Sequence, residues 1–169
     1  MDLETIRALF DYNEWANRRT LEGCELLSSD QLLEPLGGSF GSVRNTLAHI
    51  MDVEWLYLER WQGRSPTALP KAQNYPDLAQ IDERWKTVDE AMREYVRALS
   101  QADILRVIEF RNIAGNQFRD PLWQTMQHLV NHSTYHRGQI TTLLRQLGVK
   151  PMSTDMIAFY RERAVQATA

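Results

Sequence analysis

Apolar residues recur at intervals of three and four along most of this chain, and that period is helical. In the first segment Leu3, Ile6, Phe10, Asn13, Trp15 and Ala16 bracket one broad face, which predicts a helix from about Leu3 to Leu27. The pattern lapses at SSDQ and breaks at Pro35-Leu36-Gly37-Gly38. Ser42 is placed to cap a second helix that carries Leu47, Ile50, Trp55, Leu56 and Leu58 to about Gln62, where Gly63 stops it. From Gly63 to Pro76 there is no period, and Pro66, Pro70 and Pro76 punctuate a connection long enough to cover a site or an interface. Asp77 then caps a third helix through Leu78, Ile81, Trp85, Val88, Met92 and Val96, ending near Ser100.

The period changes between Arg106 and Arg119. Val107-Ile108-Glu109-Phe110 and Asn116-Gln117-Phe118 flank an Ala-Gly turn and predict a small β-hairpin, which must pack on the helices to be stable. Asp120-Pro121 reads as a helix start, with the aspartate as cap and the proline at the first helical position. The fourth helix then runs to about Leu147, with Gly148 as its stop, and a short fifth helix runs from about Ser153 to Val165. The expected fold is all-α: an antiparallel four-helix bundle of the up-down-down-up type, with a small hairpin before the fourth helix and a short C-terminal helix. One domain is expected to span residues 1–169.

Composition narrows the functional classes. The chain is 43% hydrophobic and 24% charged, enough apolar material for one core. The formal net charge is −3 and no Lys/Arg run or basic helix stands out, which argues against nucleic acid as a partner. No apolar stretch approaches the roughly 20 residues of a membrane span, and the first residues do not read as a secretion signal. The single cysteine, Cys24, sits at an apolar helical position, reads as an inert buried thiol and suits the cytoplasm. The tryptophans Trp15, Trp55, Trp61, Trp85 and Trp123 fall at helical spacing and read as core before substrate surface.

The chemistry is concentrated in the run HLVNHSTYHRGQ. Three of the four histidines of the chain, His128, His132 and His136, are spaced four apart there, so on a helix they form one stripe. Two imidazoles at that spacing can hold one divalent ion. Three in a row span about 12 Å of helix axis, too far for all to reach it. One of the three must stand outside any single site, and spacing does not say which. The fourth histidine, His49, lies on another predicted helix and could complete the set. Ser133 stands where the glutamate of a zinc-peptidase HExxH motif would be, so that class is disfavoured.

The chain resembles the DinB-like family, named for damage-inducible bacterial proteins, over nearly its whole length. The likeness rests on YNEWAN at Tyr12 to Asn17, SVRNTLAHI at Ser42 to Ile50, and HSTYHRGQI at His132 to Ile140. The family's HxxxHRGQ pattern is matched at His132, His136, Arg137, Gly138 and Gln139, and its helix-two histidine at His49. The resemblance implies a divalent metal held by His49, His132 and His136, with His128 one turn outside the triad, where it can line the pocket. It also implies a homodimer. The family name records regulation, and DNA repair is not expected.

Three neutral imidazoles leave an ion its full charge and an open position, which suits catalysis or substrate binding more than a structural role. Zinc or nickel is the first expectation for the ion. The wider superfamily implies thiol-dependent isomerases and transferases. The first expected function is therefore a metal-dependent transferase or isomerase joining a small electrophile to a low-molecular-weight thiol. A metal-hydroxide hydrolase of a small ester or amide is the second, and a metal- or ligand-binding stress-response protein without turnover the third. Asp52, one turn after His49, and Gln139, three residues after His136, are candidate catalytic or ligand-orienting groups. Asn13 and Asn17 could line the site or merely tie helices together. Tyr12 and Tyr135 could place hydroxyls in the pocket. Arg137, about 100° around the axis from His136, reads as a surface or interface charge.

Overall fold

The computed structural model describes residues 1–166. Four long helices form the bundle: α1 (Leu3–Cys24), α3 (Val43–Trp61), α4 (Leu78–Ala98) and α6 (Leu122–Gln146). Two short helices, α2 (Ser29–Leu33) and α5 (Gln101–Leu105), sit in the connections. The strands β1 (Val107–Arg111) and β2 (Gln117–Pro121) pair antiparallel, with Phe110 opposite Phe118, and α7 (Met156–Gln166) packs back on α1. Among the described residues no helix is long and apolar enough to cross a membrane.

Around the bundle α1 lies between α4 and α6, and α3 lies between the same two helices, so α1 and α3 are diagonal. Side-chain pairs give the directions. Arg18 with Asp82 and Asp89 makes α1 and α4 antiparallel, and Trp61 with Thr125 does the same for α3 and α6. Glu54 with Trp85, and Trp61 with Tyr95, make α3 and α4 parallel. The order is up-down-down-up. It also explains the long segment after Gly63: two parallel consecutive helices need a connection that travels back the length of the bundle. That segment carries a single 3₁₀ turn (Ala72–Asn74) and returns along α3, where the Tyr75 hydroxyl donates to Asp52.

The ends of the elements follow local chemistry, with three departures from expectation. Helix α1 stops at Cys24, three residues early. Ser28 with Gln31, and Ser100 with Asp103, form reciprocal capping boxes that start α2 and α5, two short helices absent from the expected element order. Asp120 does not cap α6. It pairs with Ile108 in the hairpin, Pro121 pairs with Val107, and the helix begins at Leu122, whose N–H donates to the Arg106 carbonyl. The hairpin's pull on the backbone overrides the Asp-Pro start signal.

The core is two apolar halves with a polar layer between them. One half holds Ile6, Phe10, Trp61, Met92, Ile104, Leu122 and Met126, with Phe110 of the hairpin. The other holds Leu21, Leu47, Ile50, Ile81, Trp85, Ile140 and Leu144. Cys24 lies in the second half at 1% exposure, and burial pushes its thiol up to about 12, which makes it inert. Trp61 and Trp85 are buried, and Trp15, Trp55 and Trp123 pack partly buried against the core, so the tryptophans are structural.

Candidate metal centre

Helix α3 presents His49, and the antiparallel helix α6 presents His132 and His136 at the same level. The ligand-capable nitrogens of the three residues all lie within 4.8 Å of one another, the one such grouping of histidine, cysteine or carboxylate atoms among the described residues. The Nε2 atoms of His49 and His132 are 3.1 Å apart. Two imidazole nitrogens bound to one ion at 2.0–2.1 Å stand roughly 3.0–3.4 Å apart for ordinary coordination angles, so this spacing fits shared ligation. Burial pushes the His49 imidazole down to about 4, helped by the neighbouring His136. It pushes His132 down to about 3, helped by His136, His49 and His128. Both rings are therefore neutral at physiological pH, the form that binds metals.

The donor set is poorly satisfied by protein alone. His132 Nδ1 is sealed from solvent without a hydrogen-bond partner, while its other nitrogen faces only a second imidazole. An ion is what these rings fit. His136 is better supported: its Nδ1 is 2.9 Å from Gln139 Oε1, and the Gln139 amide donates in turn to Ser39 Oγ. That bond puts the His136 proton on Nδ1 and leaves Nε2 free as a ligand. Gln139 thus links the His136 ring to Ser39 of the glycine turn.

His128 stands outside the cluster. It is exposed, with its ring 6.1 Å from His132 and 5.5 Å from Tyr57. Tyr135 is 64% exposed and lies edge-on to His136, whereas the buried Tyr12 hydroxyl donates to the Thr154 carbonyl, away from the cluster.

Asp52 is 3% exposed and accepts a hydrogen bond from Tyr75, not from His49. Burial pushes its carboxyl up to about 6, against the opposing pull of the Tyr75 bond and the Arg84 charge. A carboxyl raised in this way favours the folded state fully only below its unfolded value near 4, and that contribution is lost as pH rises through 6. Asp52→Asn, which keeps an oxygen for Tyr75, is expected to stabilise the protein by about 1–3 kcal/mol at pH 7.5 and negligibly at pH 4. Denaturant unfolding at the two pH values reads this, and an equal effect at both would contradict it.

Arg137 is not a surface charge. It is 1% exposed, and its guanidinium donates to Asn13 Oδ1, Asn17 Oδ1 and Thr134 Oγ1, with the Tyr12 hydroxyl at 3.4 Å. The 100° that separates it from His136 turns it toward α1, which covers the other side of α6. Asn13 and Asn17 each donate to Glu54 Oε1, as does Ser133, and Trp85 Nε1 donates to Glu54 Oε2. The two asparagines therefore tie Arg137 to Glu54 through the middle of the bundle, directly behind the histidines.

Sequence reasoning missed Glu54 and also Phe40. Gly37, Gly38 and Gly41 adopt positive φ in a tight turn closed by Leu36 N–H on the Gly41 carbonyl, and Asn45 holds the Phe40 carbonyl. The turn lays Phe40 on His49 with ring centroids 4.0 Å apart, and edge-on to His136. The Pro-Leu-Gly-Gly break is thus part of the site.

Known proteins share this chain's sequence pattern and its fold. Protein DinB of Bacillus subtilis (strain 168) is 27% identical over 152 residues, covering 87% of this chain and 88% of its own. Protein YizA of the same organism is 24% identical over 161 residues, covering 88% and 91%. Among solved structures, YfiT from Bacillus subtilis superposes with a TM-score of 0.69 at 16% identity, covering 89% of this chain and 91% of that one. It is described as a probable metal-dependent hydrolase with an unusual four-helix bundle topology. A DinB-like protein from Bacillus cereus ATCC 10987 superposes at 0.64 with 19% identity, covering 83% and 91%. The sequence pattern of the DinB family matches residues 1–166, and the chain belongs to that family.

Proposed function

We propose that the protein is a metal-dependent enzyme that transfers or isomerises a small electrophile with a low-molecular-weight thiol as cosubstrate. We assign His49, His132 and His136 as the ligands of a divalent ion, zinc or nickel. The observation that carries the reading is the convergence of three imidazoles with no carboxylate or thiolate among them. Bound there, an ion with its charge uncompensated keeps a thiol sulfur deprotonated at neutral pH and leaves a position for it. The chain's own groups do the rest. Gln139 fixes the ring of His136, and Phe40 covers His49 and keeps water from that side. Membership in the family supports a homodimer, and the lone inert thiol suits the cytoplasm.

Hydrolysis of a small ester or amide is the second reading. It draws on the description of YfiT and on Asp52, whose carboxyl at about 6 is poised to exchange a proton near neutrality. Turnover of thiol-plus-electrophile panels should fall at least a hundredfold in His49→Ala. Equal rates in variant and wild type would overturn the transferase reading, and ester cleavage without any thiol would favour the hydrolase.

A further inference from the structure

A groove of about 760 Å³ runs along the outer face of α6. One wall is the helix itself, through Gln127, Asn131, Thr134, Gly138, Thr141 and Arg145. Those positions step by four and three residues in alternation, the spacing of a seam that packs against another helix. All six are exposed or half-buried, and a Cβ placed on Gly138 meets nothing within 4 Å. Helix α1 closes the floor with Leu9 and Tyr12. The opposite wall is the segment 149–155, which descends antiparallel to α6. Val149 N–H donates to the Leu144 carbonyl, the Thr154 carbonyl takes the Tyr12 hydroxyl, and Met156 packs on the half of the core that holds Met126. His132 and His136 lie at least about 100° round the helix axis from every seam position, so the groove is separate from the metal centre.

The two ends of the groove carry opposite charges. Arg145 stands at one end, exposed and in no ion pair among the described residues. Asp155 stands at the other, its carboxylate taking only the Ser153 hydroxyl. The Tyr12 hydroxyl that holds Thr154 also meets Arg137, so roughly 12 Å of axis separates Asp155 from Arg145 on one chain. The seam is its own complement. Turned end for end about a two-fold axis at the level of His136, it sets Gln127 against Arg145, Asn131 against Thr141 and Thr134 against Gly138. That register matches all six positions, and it brings the partner's Arg145 to the end of the groove where Asp155 lies. Gly138 near the axis lets the two backbones approach. The seam is about 27 Å long, and the helix with its flanking segment is about 20 Å wide. Two copies therefore cover on the order of 1,000 Å², enough for a specific interface.

We propose that this groove is the docking surface for a second copy of the chain. The two α6 helices pack antiparallel along the seam, and Arg145 of each protomer pairs with the partner's Asp155. The proposal rests on the homodimer reading and assigns the face that makes the dimer, and it leaves both histidine clusters outside the contact.

Sedimentation of the untagged wild type at micromolar concentration should give twice the mass of the chain. Arg145→Glu should weaken the dimer about tenfold, and so should Asp155→Arg. The two substitutions in one chain should recover most of that loss, a rescue that misfolding of either variant does not produce. Cross-linking reads the register. Chains carrying Asn131→Cys and chains carrying Thr141→Cys, mixed and left to exchange, should give a covalent dimer with a short bis-maleimide. Either variant alone should not, because identical positions stand roughly 15 Å apart along the axis. Cys24 is buried and stays out of the reaction. A wild type that sediments as a monomer at high micromolar concentration overturns the proposal and the homodimer reading together, and leaves the groove to another occupant. A dimer that Arg145→Glu leaves intact, or that the mixed cysteine variants do not cross-link, overturns this face and leaves the homodimer standing.

Discussion

Arg137→Ala is expected to destabilise the protein by about 3–5 kcal/mol, the scale found when one side of a buried charge pair is removed. For a chain of this size that lowers Tm by roughly 10 °C or more. The cause is geometric. Arg137 and Glu54 are both almost wholly buried and do not touch. Asn13 and Asn17 stand between them, each accepting from the arginine and donating to the glutamate. Removing the guanidinium strips two amide oxygens of their donors and leaves the carboxylate charge uncompensated between two apolar halves. Because the parts act as a unit, Arg137→Ala and Glu54→Gln should be strongly non-additive, with a coupling of about 1–3 kcal/mol. A loss under about 1 kcal/mol for Arg137→Ala would contradict the relay.

Saturating zinc is expected to raise the Tm of the metal-free protein by a comparable amount. An ion that binds only the folded chain stabilises it by about 4 kcal/mol at a thousand times Kd, which is again roughly 10 °C. The His132→Ala protein should show almost none of this, because the remaining pair lacks the ring that faces His49 at 3.1 Å. Its own metal-free Tm should change little. The buried Nδ1 that the substitution deletes has no protein partner to lose. A full zinc shift in His132→Ala would place the ion elsewhere.

Periodicity carried the bundle: the four long helices fall where apolar residues recur at three and four, and Gly63 and Gly148 mark ends that the structure keeps. The parallel run of α3 and α4 also has a trace in the sequence, in a connection too long for a simple turn. What local pattern could not show is where two signals compete. Asp120-Pro121 is a sound helix start in isolation, yet its backbone is claimed by pairing with Val107 and Ile108 of the hairpin.

The site divides in the same way. The clustering of the three histidines was legible from spacing together with family likeness, and the contact of Gln139 with His136 from its place one turn on. Glu54 and Arg137 also carry a signal in the sequence, stronger than the 100° offset that makes Arg137 look like a surface charge. Glu54 continues the apolar stripe of Leu47, Ile50, Leu58 and Trp61, and Arg137 continues that of Leu129, Ser133, Ile140 and Leu144. A charge at a core phase on each of two helices that pack together is a sign of a buried polar pair. Phe40 left no such sign. Its place over His49 depends on the fold of a glycine turn far from the histidine helix.

His49, His132 and His136 are expected to hold one divalent ion between them. Elemental analysis of untagged protein after mild purification tests it most directly, with His132→Ala prepared in parallel. The expected result is about one zinc or nickel per wild-type chain and less than a tenth of that in the variant. Metal-free wild type that stays metal-free on reconstitution, or a variant that retains the full complement, would contradict it.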